Sequence, residues 1–79
     1  MGKLGGRNME DYKIRKTRVK AIMADNNVTV KDLARQLEVT PNMIYRKLNG
    51  ISKWTLQDLT ILKTISGKSF DYVFGLSDK

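Results

Sequence analysis

The chain has no cysteine and no histidine. The first absence rules out a disulfide framework and any thiolate metal site. The second removes the commonest general base and the commonest metal ligand. There is no cluster of carboxylates and no phosphate-cradling glycine loop, since Gly2, Gly5 and Gly6 follow no strand and make no nucleotide fingerprint. An enzyme fails on this inventory, and no cofactor, metal or small-molecule ligand is expected. No apolar run approaches the ~20 residues that span a bilayer, and no apolar segment follows the basic N-terminus to make a secretory signal. A membrane is not an expected partner, and a cytoplasmic, nucleoid-associated location follows. Repeats, low-complexity tracts and strand-like alternation are all missing.

What is present in excess is positive charge. Fifteen Lys and Arg against eight Asp and Glu give a formal net charge of +7 over 79 residues. Such a balance favours a polyanionic partner, nucleic acid ahead of an acidic membrane surface. A chain this short makes one domain with a modest core. Its stretches divide into a flexible basic arm at 1–10, a helical domain at 11–76 and a tail at 77–79. Met9 would also serve as a start, which leaves open whether residues 1–8 are native.

The spacing predicts five helices, an all-α domain. From about Asp11 to Asn26, Ile14, Val19, Ile22 and Met23 recur at helical intervals, and Asn26-Asn27 end the run. The stretch TVKDLARQLEVTPNMIYRKLNG, from Thr29 to Gly50, reads as two short helices and a tight turn. Thr29 caps the first, with Asp32 as its capping-box partner, and Leu33, Ala34 and Leu37 form its apolar stripe. Thr40 caps the second, Pro41 takes the first helical position, and Asn49-Gly50 end it. Only Glu38 and Val39 separate the two, so they must cross steeply, as in a helix-turn-helix. Thr55 and Asp58 cap a fourth helix with a stripe of Leu56, Leu59, Leu62 and Ile65, and Ile61 adjacent. Ser69 caps a short fifth, FDYVF, that stops at Gly75.

A recognition helix presents its N-terminal part to the base edges of the major groove. Here that end holds Thr40, Pro41, Asn42 and Met43, with Arg46 one turn on. Asn42 and Arg46 share a face; Asn pairs with adenine and Arg with guanine through two hydrogen bonds each. Pro41 can touch a thymine methyl, and Tyr45 sits at the edge of the face. Pro41, Asn42, Tyr45 and Arg46 are the candidate base contacts, favouring a mixed A and G target. Thr40, Lys53, Lys31, Arg18 and Lys47 are the candidate phosphate contacts. Phe70, Tyr72, Val73 and Phe74 are more apolar surface than one short helix buries alone. Phe70 and Val73 are expected to face inward, leaving Tyr72, Phe74 and Leu76 to a twofold partner. The bland alternative is that all of them close the monomer core.

From about Arg18 to Gly75 the chain resembles the lambda-repressor-like, Cro-type helix-turn-helix family of phage and bacterial regulators. VKAIMADNNVTVKDLARQLEV is similar to the family's first two helices, TPNMIYRKLNG to its recognition helix, TLQDLTILKTIS to its fourth helix and SFDYVFG to its fifth. Four positions depart from the family pattern. Val30 stands where a phosphate-contacting Gln is frequent, and Glu38 where the turn has Gly. Lys47 stands where an apolar residue is usual, which leaves the packing to Leu48, and Trp54 replaces a frequent Pro. The resemblance implies a phosphate contact from the loop of Lys53. It also implies a sequence-specific regulator of double-stranded DNA, Cro-like or a small repressor, and the apolar residues of the fifth helix make a homodimer on an operator the expected form. A protein-interaction module, such as an antitoxin or an adaptor, is the alternative, and its binding would hardly respond to salt.

Overall fold

The computed structural model describes residues 14–79, so the expected arm at 1–10 and the start of the first helix at Asp11 lie outside the described residues. Within them run α1 (Lys16–Asp25), α2 (Val30–Leu37), α3 (Pro41–Leu48), α4 (Leu56–Ser66) and α5 (Phe70–Phe74). The boundaries follow local chemistry. Thr29 Oγ1 accepts from the Asp32 N–H at 3.1 Å while the Thr29 N–H donates to Asp32 Oδ2 at 3.1 Å. Thr55 and Asp58 repeat that box at the start of α4, at 3.0 and 3.1 Å. Thr40 Oγ1 accepts from the Met43 N–H at 3.3 Å with Pro41 in the first turn, and Ser69 Oγ accepts from Tyr72. Each hydroxyl satisfies a backbone donor that has no partner within its helix. Only α1 starts without such a cap. Arg15 is extended and offers no side-chain acceptor, and the helix begins at Lys16, with Ile14 and Arg15 outside it.

The Thr29 N–H bonded to the Asp32 carboxylate, joined by the Thr29 hydroxyl, holds that acid below the ordinary aspartate value. A lowered folded pKa means the stabilisation is present above the unfolded value and is lost as pH falls through the folded one.

Helix ends turn through the left-handed region. Gly50, Gly67 and Gly75 do so at φ of 78, 69 and 82°. At the turn between α2 and α3 the residue is Glu38, at φ 60° and ψ 42°. There the Val39 N–H reaches back to the Ala34 carbonyl at 2.9 Å and closes the helix. An L residue pays about 1–2 kcal/mol for this conformation, whereas Gly loses about 0.5–1 kcal/mol in chain entropy on folding. Strain relief is the larger figure and the Glu38 side chain is exposed. Glu38→Gly is therefore expected to raise stability by up to about 1 kcal/mol. Urea unfolding reads this directly, and a midpoint that drops would show that the side chain stabilises the turn by more than its backbone costs.

Val19, Ile22, Leu33, Ile44, Leu59, Leu62 and Val73 are the largest fully buried side chains, and they come from all five helices. α4 packs on α1, α2 and α5; α2 packs on α3. Three expectations about packing are corrected. Leu56 is 53% exposed, because it is the first residue of α4 and ends the stripe; Trp54, two residues upstream, is the side chain that enters the core, at 3%. Tyr72 is 6% exposed, and Phe70, expected inward, is 37% exposed. α5 is so short that only Tyr72 and Val73 reach the interior. The Tyr72 ring is covered by Arg18 at 4.2 Å and by Lys68 at 5.3 Å. Lys47 is buried too, a point taken up at the site.

Candidate nucleic-acid interface

α3 divides into two faces. Ile44, Lys47 and Leu48 are buried, and Met43 is half-buried. Pro41, Asn42, Tyr45, Arg46 and Asn49 are exposed. Asn42, Tyr45, Arg46 and Asn49 stand at i, i+3, i+4 and i+7, so they form one continuous stripe along the outer surface. No acid occurs among the residues of α3, PNMIYRKL. The four expected base contacts, Pro41, Asn42, Tyr45 and Arg46, therefore share one solvent-facing surface, with Tyr45 53% exposed.

Arg46 has a side-chain partner in the following loop. Its Nε donates to Ser52 Oγ at 3.4 Å, a long hydrogen bond that favours one direction for the guanidinium. The backbone supports this contact, since the Arg46 carbonyl accepts from the N–H groups of Ile51 and Ser52 at 2.8 and 3.1 Å. At the far end of the stripe Lys16 Nζ donates to Asn49 Oδ1 at 3.1 Å. That brings a cation from the start of α1 to the end of α3. Lys16 belongs to the basic run visible in the sequence, but the two residues are separated by 33 positions, so only the fold pairs them.

The expected phosphate contacts are scattered over different environments. Lys53 is exposed in the loop between α3 and α4, and Lys31 is exposed in the first turn of α2. Thr40 is exposed, and because its oxygen accepts from Met43, its hydroxyl proton remains available to donate. Arg18 is half-buried with its guanidinium over the Tyr72 ring, so it sits toward α5. Lys47 points the other way from expectation. Its side chain is 8% exposed, and its ammonium donates to Asp58 Oδ2 at 2.7 Å and to the Lys53 carbonyl at 2.8 Å. An ammonium on a buried side chain, already bonded to a buried carboxylate and a backbone carbonyl, cannot reach a phosphate, and Lys47 leaves the set. Tyr72 leaves the candidate dimer contacts for a similar reason: its ring is already covered within one chain. Phe74 is half-buried, and Leu76 is 77% exposed.

Among the described residues, no group of His, Cys, Asp and Glu could hold a metal ion, and no helix is long and apolar enough to cross a membrane. No curated protein and no solved structure matches the chain. A family model described as the Cro/C1-type HTH DNA-binding domain matches residues 18–65, from α1 almost to the end of α4. That span holds both capping boxes, the short α2–α3 turn and the whole outer stripe of α3, and the chain belongs to the Cro/C1-type helix-turn-helix family of DNA-binding domains.

Proposed function

We propose that the chain is a sequence-specific transcription regulator, Cro-like or a small repressor, that lays α3 in the major groove of an operator and blocks polymerase there. The observation that carries this reading is the exposure of Asn42 and Arg46 on one face of α3 while Ile44 and Leu48 anchor the opposite face in the core. Asn offers an acceptor and donors to adenine, and Arg two parallel donors to guanine. Exposed Lys53 and Lys31, the Thr40 hydroxyl at the start of α3 and Lys16, which reaches Asn49 at its end, supply contacts to the DNA backbone that set register without reading sequence. Arg18 adds a cation on the α5 side.

A single module makes few base contacts, and dimers in this binding mode read two half-sites about 34 Å apart. The surface proposed for the second copy is the end of the chain after α5, where Leu76 is 77% exposed, together with Phe74 and Phe70. Selection of bound sites from random duplexes tests both parts. The expected product is a palindrome with A and G in each half-site. An unpaired half-site would remove the dimer, and no enrichment would leave the fold as an adaptor. Salt separates the same two readings, since DNA binding falls with a log–log slope near −0.9 per phosphate neutralised and adaptor binding does not.

A further inference from the structure

The reading helix is fastened to the rest of the domain at two places on its buried face, besides the bond from Lys16 to Asn49 at its end. Its main helix partner is α2, through Ile44 and Leu48 and the buried residues opposite them. The second place is the ammonium of Lys47. It donates to the Asp58 carboxylate at 2.7 Å and to the Lys53 carbonyl at 2.8 Å, and lies 5.7 Å from the centre of the Trp54 ring. The same Asp58 oxygen accepts from the Thr55 N–H at 3.0 Å. One buried cation thus engages Lys53, Trp54 and, through Asp58, Thr55. The near half of the loop is bonded to Arg46, whose carbonyl takes both the Ile51 and the Ser52 N–H. Residues 51–55 are held to the C-terminal half of α3 along their whole length.

A buried ion pair is a poor stabiliser compared with apolar side chains of the same volume, because two charges must leave water. An apolar residue at position 47 would fill the space but could not bond the Lys53 carbonyl. The distinctive consequence of Lys47 is therefore positional. We propose that Lys47 is a positioning residue for DNA binding: it locks loop 51–55 onto the reading helix, so that Lys53 meets the phosphates in fixed register with Arg46 at the bases. The proposal rests on the DNA-reading function above.

The test is a comparison of salt slopes on the selected duplex. Lys53→Ala in the wild-type chain is expected to lower the log–log slope by about 0.9, the share of one phosphate contact. The paired substitution K47M/D58N removes one charge of each sign, so the net charge is unchanged, and the amide introduced at position 58 still accepts from Thr55. In that background the slope is already lower by about 0.9, and Lys53→Ala lowers it little further. Equal losses in both backgrounds overturn the proposal. Slope is a useful measure because partial unfolding changes the amount of active protein and not the number of phosphates neutralised. Lys47→Arg keeps a cationic donor, and the Lys53 share of the slope is expected to survive; a folded K47R protein that has lost it overturns the proposal even if the paired variant does not fold. Amide exchange of Ile51, Ser52 and Trp54, measured without DNA, is expected to quicken in K47M/D58N while α1 and α2 keep their rates, and unchanged loop exchange also counts against the lock. A wild-type slope near zero overturns the DNA reading itself, and the proposal with it. A steep wild-type slope with equal Lys53 losses overturns the positioning role alone.

Discussion

Arg46→Ala is expected to weaken binding to the selected operator by on the order of 1–3 kcal/mol, several-fold to about a hundredfold, and to leave binding to random duplex nearly unchanged. The asymmetry follows from where the side chain stands. Arg46 is exposed on the outer face of α3, one turn from Asn42, and its Nε is taken by Ser52 at 3.4 Å. The terminal nitrogens of the guanidinium remain to meet guanine O6 and N7. A contact of that kind exists only on the correct base, so its loss relaxes preference at one operator position. Folding should hardly change, because truncating an exposed side chain costs within about 0.5 kcal/mol. Titration of the variant against the best site, a site mutated at one position and a random duplex gives the three numbers required. Equal losses on all three duplexes would assign Arg46 to a phosphate.

The helix boundaries were legible from sequence because their causes are local. Thr29 with Asp32, Thr55 with Asp58, Thr40 before Pro41 and Asn49 before Gly50 each place an acceptor, a fixed φ or a left-handed residue within four positions of its effect. The left-handed turn at Glu38 was legible through the resemblance, since a family position that favours Gly implies positive φ whatever residue fills it. The interior was harder where residue type and position disagreed. Lys47 lies three residues after Ile44 and one before Leu48, so helical spacing puts it on the buried arc, while its charge argues for solvent. Position prevailed because Asp58, eleven residues away, supplies a counter-charge inside the domain. The two aromatic residues at the start of α5 exchanged places for a comparable reason. Which of Phe70 and Tyr72 enters the core depends on where α1 lies, and Arg18 of α1 covers Tyr72. On the reading face the choice of Asn42 and Arg46 needed only helical periodicity, whereas Lys16 and Ser52, which touch the same face, needed the tertiary fold.

Two T-x-x-D boxes, identical as sequence, should respond very differently to the same substitution. Asp32 closes the box at α2 on the surface, where its other partner is Arg35 at 3.4 Å, an exposed pair of neighbouring turns. Surface pairs of that kind contribute little. Asp58 closes the box at α4 and is also the counter-ion of Lys47, with both side chains 8% exposed. Asp58→Ala removes a cap and, beyond that, strands an ammonium in the interior with only the Lys53 carbonyl and the Trp54 ring beside it. Removing one partner of a buried pair costs about 3–5 kcal/mol. Domains of this size have total stabilities on the order of 5 kcal/mol, so the variant is expected to sit close to its folding threshold. Asp32→Ala, by contrast, loses the same half of a cap and an exposed pair but strands no charge, so its urea midpoint should fall only by the cap deficit, far less than that of Asp58→Ala. The decisive third protein is Asp58→Ala combined with Lys47→Met, which removes the stranded charge and should recover most of the loss, leaving the deficit of a missing cap. If the double variant is no more stable than Asp58→Ala alone, the cost lies in the α4 cap and not in the buried pair, and Lys47 is better solvated than its 8% exposure implies.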